Sequence, residues 1–163
     1  MSIYSKNKTE HERIVYEICK NSHILSKSLN ENQLWLRATE YIIDEETNER
    51  ADIVFQNTSI IKCLKNTICY VVEVKSNQGD HELLGQIEKS VDRIKREKHN
   101  YVDVRGIAIV KQFTKSGMAL LEKHGYSAFE WVENKNGFSL HDMFQKQSNL
   151  STSIQKLLKN LKS

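Results

Sequence analysis

The chain contains no proline, six glycines scattered as single residues, and three cysteines. Without a G-x-x-x-x-G-K or G-x-G-x-x-G run there is no loop to cradle phosphates, which excludes P-loop and dinucleotide-binding enzymes and predicts no organic cofactor. Cys19, Cys63 and Cys69 are odd in number and lack a CxxC pair, so they read as reduced thiols and not as a disulfide framework or zinc site. The six histidines form no HExxH or HxH group. No apolar run is long enough to span a bilayer, and residues 1–8 carry no apolar signal-peptide core, so the expectation is a cytoplasmic protein with no membrane partner.

What remains is ordinary globular material: 163 residues, 39% hydrophobic and 28% charged, enough for one domain with a real core. The net charge of +3 permits nucleic-acid binding without arguing for it, since phosphate affinity comes from local clusters of cations. A single domain over 1–163 is expected, its core at about 9–133 and a helical extension at about 138–162.

Apolar spacing predicts a helix from about Thr9 to Leu29, with Thr9 and Glu12 matching a capping box. An extended segment over 34–43 follows, then a polar turn over 44–49, and then a short strand, Ala51 to Phe55. Ile68 to Lys75 is the clearest strand, rich in β-branched residues. A long amphipathic helix runs from about His81 to His99, with Leu83, Leu84, Ile87, Val91 and Ile94 on one face. A buried strand over 104–110, a helix from Thr114 to His124 and a strand over 127–132 complete the core. Asn134 to Gly137 reads as a turn, with weaker helical stretches near His141–Gln147 and Thr152–Leu161. Strand, long helix, strand predicts a right-handed parallel crossover, and the whole a mixed α/β (α+β) domain of order αβββαβ plus a further helix and strand.

The chemistry lies in Val72-Glu73-Val74-Lys75. Side chains alternate along a strand, so Glu73 and Lys75 share one face, ~6–7 Å apart. A carboxylate and an ammonium beside a core strand require partners. Asp52, at the head of the preceding strand, converges with Glu73 if the strands pair. Two converging carboxylates repel unless a cation lies between them. Carboxylate oxygens and water suit Mg²⁺ or Mn²⁺, which acidify water and stabilise charge on a phosphate. Lys75 can orient that water or stabilise the developing charge. Glu133-Asn134-Lys135 has the same triplet form but sits in a polar, glycine-containing turn with no acidic strand before it, so it is set aside. The competing reading of Glu73 and Lys75 is a salt bridge at a strand end.

Asp52 on one strand and Glu73-Val74-Lys75 on the next resemble the PD-(D/E)XK nuclease superfamily, with Ala51 where the proline of its name would stand. Further likeness is to the nuclease domain of the archaeal mismatch endonucleases (NucS/EndoMS) and, more loosely, to RecB-like nucleases. It is carried by residues 12–25, by Gly85-Gln86-Ile87, where Ser90 replaces an aromatic one turn later, and by residues 104–126. The resemblance implies a restriction-endonuclease-like core, a central mixed sheet flanked by helices. It implies Mg²⁺- or Mn²⁺-dependent hydrolysis of DNA, with Asp52 and Glu73 as metal ligands, Lys75 as the catalytic lysine and Gln86 facing the site. It gives Glu12 as the first-helix acid completing the metal shell, although Glu10 and Glu17 lie on the same helix. Arg93, Lys95 and Arg96 are the candidate phosphate contacts, against the reading of a solvated charged face. DNA and a second copy of the chain are the expected partners. Mismatch specificity is not implied, because the likeness does not extend to those enzymes' separate N-terminal domain. A catalytically inactive nucleic-acid-binding or assembly module on the same fold is the alternative.

Overall fold

A computed structural model describes residues 8–59, 66–97, 101–145 and 157–159. The order is α1 (Glu10–Lys20), α2 (Ser22–Ser28), β1 (Trp35–Asp44), β2 (Glu49–Gln56), β3 (Thr67–Gly79), α3 (His81–Arg96), β4 (Tyr101–Phe113), α4 (Lys115–Lys123), β5 (Ser127–Asn134) and β6 (Gly137–Asp142). The six strands form one sheet in sequence order, β1 to β6. β1–β2, β2–β3 and β5–β6 pair antiparallel, whereas β3–β4 and β4–β5 pair parallel across α3 and α4. This is the mixed sheet flanked by helices that the sequence predicts.

Helices cover both faces of the sheet. On one, Ile14, Ile18 and Leu25 of α1 and α2 pack on Ile53, Phe55, Val72 and Ile107. On the other, Leu83, Ile87, Val91 and Ile94 of α3 pack on Val54, Val71, Ala108 and Val110. Central strands buried on both faces read as unbroken apolar runs, as β3 and β4 do. Gly106 is required where β4 passes under α3, because a Cβ there would lie 2.4 Å from Ile87 Cγ2.

Three local readings change. The first helix breaks at Asn21, whose side-chain amide and backbone N–H both donate to the Glu17 carbonyl at 2.9 Å and cap the helix there. The long helix ends at Arg96, three residues short of expectation, where Glu97 turns extended (φ −66°, ψ 136°) and its carboxylate takes the Tyr41 hydroxyl and Arg93. The expected helical extension begins instead as β6: Gly137, at φ +112°, closes a hairpin, and Phe138 and Leu140 alternate onto the α1 side of the core. Of the remaining extension, 143–145 are helical, within the stretch expected near His141–Gln147, and 157–159 are helical with Leu157 and Leu158 exposed; 146–156 and 160–162 lie outside the described residues. Cys19 and Cys69 are free thiols, Cys69 buried and its thiol pushed up to about 12 by that burial; Cys63 lies outside the described residues. Among the described residues no helix is long and apolar enough to cross a membrane.

Candidate active site

The site forms where β2 and β3 part. Their backbone pairing ends at Ile53↔Val72, and one step further Asp52 and Glu73 stand opposite each other. There the Asp52 carboxylate replaces the missing strand contact: Oδ2 accepts the Val74 N–H at 2.6 Å. Glu73 points toward α3, is only 4% exposed, and its Oε1 accepts the Ser90 hydroxyl at 3.0 Å. Burial, then the negative charge of Asp52, pushes the Glu73 carboxyl up to about 8, against the Ser90 hydrogen bond and the charge of Lys75. Lys75, two residues on and half-buried, follows on the same strand. The structure thus brings Asp52, Glu73 and Lys75 to one place.

A second group approaches Asp52 from the α1 side. His11 Nε2 lies 3.1 Å from Asp52 Oδ1. Glu40 of β1 joins them, and single ligand atoms of His11, Glu40 and Asp52 all lie within 4.8 Å of one another. Glu40 holds φ +53°, left-handed backbone that costs a non-glycine residue about 1–3 kcal/mol. It sits between the paired residues Thr39↔Ile53 and Tyr41↔Ala51, directly across from Asp52. The side-chain alternation switches there: Ile53 packs with α1 and α2, whereas Ala51 and Tyr41 pack with α3. The hydrogen bond to Asp52 raises the His11 pKa, helped by the charges of Asp52 and Glu40 and opposed by burial and Lys75.

Glu12, expected to complete this shell from the first helix, is instead engaged in the capping box. Its carboxylate accepts the Thr9 N–H at 2.7 Å and the Thr9 hydroxyl at 3.1 Å, and the residue is exposed. The residue before it, His11, makes the contact. His11 precedes Ile14, Val15 and Ile18 by three, four and seven residues, so it continues the apolar stripe that faces the sheet. Glu40 carries no such signal, because a left-handed residue inside a strand leaves no mark in the pattern. Glu17 binds Asn21 at 3.1 Å, and Glu133 of the discarded triplet takes Arg13 at 2.7 Å on the surface.

On α3, the Gln86 side-chain oxygen is buried without a hydrogen-bond partner. Gln86 shares a cavity of about 130 Å³ with Glu73, Ser90, Lys89, Glu49, Arg50 and Ile43. This adjoins a groove of about 730 Å³ between the β1–β2 hairpin tip and α3, in which Asp44, Glu45, Glu46, Glu49 and Asp92 face Lys89, Arg93 and Arg96. The expected basic ridge is therefore divided. Arg93 and Arg96 line this mixed-charge groove, whereas Lys95 lines a separate one of about 230 Å³ with Tyr101, Val102 and Asp103. Lys89 pairs with Glu49 at 2.8 Å and Arg93 with Glu97 at 3.0 Å.

The donor set fits a divalent cation. Ligands on opposite sides of an ion at ~2.1–2.5 Å lie about 4–5 Å apart, the spread of the His11–Glu40–Asp52 group. Glu73 is a buried acid held beside another acid, and the Gln86 oxygen is a buried acceptor that lacks a donor. Each is relieved by positive charge.

No protein-family model matches the chain, and no curated protein matches its sequence. Solved structures do. A repair endonuclease from Pyrococcus abyssi is 23% identical with a TM-score of 0.50, over 76% of this chain and 48% of that one. EndoMS in a complex with double-stranded DNA is 17% identical with a TM-score of 0.56, over 83% of this chain and 50% of that one. The chain spans about half the length of these proteins. It has their fold: a six-stranded mixed sheet flanked by helices, with a restriction-endonuclease-like core.

Proposed function

We propose that the protein is a metal-dependent endonuclease that hydrolyses DNA phosphodiester bonds. The observation that carries this reading is the meeting of Asp52, Glu73 and Lys75 where β2 and β3 separate, with Glu73 buried and its carboxyl pushed up to about 8 by burial and by Asp52. A fold that sets a buried acid against a part-buried one beside an open groove, with a lysine next to them, suits a hard cation and an anionic substrate better than it suits a structural ion pair.

In this reading Asp52 and Glu73 hold Mg²⁺ or Mn²⁺, with His11 and Glu40 completing the shell on the α1 side. The ion would acidify a bound water and stabilise charge on the phosphate. The Lys75 ammonium orients the attacking water and stabilises the negative charge that develops on the phosphate oxygens. The Gln86 oxygen accepts a hydrogen bond from water in the cavity beside Glu73. Arg93 and Arg96, at the adjoining groove, contact the phosphates on either side of the cut. Cleaving both strands of a duplex would call for two copies of the chain.

The test is cleavage of supercoiled, linear, mismatched and branched DNA with Mg²⁺ or Mn²⁺, wild type against Lys75→Ala. Metal-dependent cutting that falls by about 10²–10³ in the variant is the expected result. Wild-type protein that binds DNA but cuts none of these forms would replace the enzyme with a binding module.

A further inference from the structure

We propose that Ser90 is a positioning residue, fixing which oxygen of Glu73 is offered to the cation; this rests on the nuclease reading above. Ser90 lies in the middle of α3, facing the sheet and 3% exposed. Its helical neighbours on that face are Leu83, Ile87, Val91 and Ile94, so a hydroxyl there is chemically exceptional. A buried hydroxyl needs a partner, and inside a helix the usual one is the carbonyl a turn back. Ser90 donates instead to Glu73 Oε1, at 3.0 Å.

The consequence is an asymmetric carboxylate. With Oε1 tied to α3, the other oxygen of Glu73 is left for a cation beside Asp52, which stands opposite on β2. A glutamate has three side-chain torsions, and apolar neighbours such as Val71 and Ala108 offer its carboxylate no hydrogen bond to fix them. The Ser90 hydroxyl does, and it holds the carboxylate ready for a cation before one arrives. Such preorganisation of a ligand by its hydrogen-bond partner is worth roughly 10- to 100-fold in metal affinity. Ser90 lines a cavity of about 130 Å³ beside Glu73, and threonine is the replacement that keeps its hydroxyl.

The experiment compares full-length wild type, Ser90→Ala and Ser90→Thr in three readouts: Mn²⁺ binding by calorimetry, kcat and KM for DNA cleavage, and melting of the metal-free protein. Ser90→Ala should weaken Mn²⁺ binding roughly 10- to 100-fold, the effect of losing a partner to a metal ligand, and should lower kcat with KM for DNA unchanged. Ser90→Thr should restore both. Lower melting in Ser90→Ala with unchanged Mn²⁺ affinity would make Ser90 a merely structural partner and overturn the proposal. So would Ser90→Thr binding Mn²⁺ as weakly as Ser90→Ala while melting normally. If wild type binds Mn²⁺ in this Ser90-dependent way yet cuts no DNA, the positioning role stands and the nuclease reading falls. If wild type binds no Mn²⁺, both fall.

Discussion

Asp52 has two neighbourhoods of opposite character. On the α3 side stands Glu73, 4% exposed, bonded to one serine hydroxyl and held beside another acid. On the α1 side stand His11, with its side chain 33% exposed, and Glu40 at the surface. Water can solvate the second pair, and the hydrogen bond to Asp52 favours the cationic form of His11. Burial leaves Glu73 far less of that solvation. The buried side therefore depends on a proton or a cation, while the exposed side tolerates either state. Asp52 joins both halves of the site, and Glu73 makes it demanding.

The sharpest way to break that comparison is to change the shared residue. Asp52→Asn keeps an oxygen for the Val74 N–H and removes the charge from both halves. Cleavage should fall by about 10³-fold or more, with melting close to wild type. Wild-type cutting by a well-folded Asp52→Asn protein would disprove its central position.

Next comes the buried side alone. The Glu73 carboxyl sits above its ordinary value in the folded chain, so the folded state holds a proton that the unfolded state gives up between about pH 4.5 and about 8. The stability this contributes is complete below about 4.5 and is lost as pH rises through about 8. Metal-free protein should melt progressively lower across that window, by an amount on the order of a few kcal/mol. Glu73→Gln should flatten the slope, and Mn²⁺ should restore wild type, but not the variant, at pH 8. A flat wild-type melting curve would show that Glu73 is solvated after all.

How much of this was legible follows the same division. Glu73 and Lys75 could be read because alternation in a β-branched strand fixes a face, and Asp52 because it heads the strand before. Their convergence is set by where β2–β3 pairing stops, which no periodicity encodes. On the α1 side Glu12 has two roles open to it in the pattern, cap and ligand; the structure shows it in the cap, with His11 beside Asp52. β6 was missed because Phe138-Ser139-Leu140 is too short an alternation to stand out after a glycine turn. The first helix was drawn too long because Asn21 in mid-pattern looks like an ordinary polar position until its amide bonds Glu17.

The exposed side gives the next, smaller effect. His11→Ala should weaken Mn²⁺ binding and cleavage by roughly 10- to 100-fold, the usual range for a lost partner of a metal site. Glu12→Gln should leave both unchanged and lower the melting temperature slightly by weakening the cap. The reverse pattern, with Glu12→Gln inactive and His11→Ala active, would restore Glu12 to the metal shell. Calorimetry and cleavage on the two variants side by side decide it.

The smallest effect expected lies outside the metal-binding half of the site, on α3. Arg93 and Lys95 are two residues apart, about 200° around the helix, so they face different sides of it. Arg93 lines the groove that adjoins Glu73, and Lys95 lines the separate groove beside Tyr101. Both carry one charge, so a DNA contact made by net charge alone would respond equally to either loss. A contact made in the groove would not. Arg93→Ala should weaken duplex binding several-fold and reduce the slope of log affinity against log salt by about 1, the signature of one lost phosphate contact. Lys95→Ala should leave the slope unchanged. Because the hairpin acids Glu45 and Glu46 share the groove with Arg93, removing their charge should act in the opposite direction and tighten binding. Equal effects from Arg93→Ala and Lys95→Ala would move the DNA path off this groove, and would leave Asp52 and Glu73 to be approached from the α1 side.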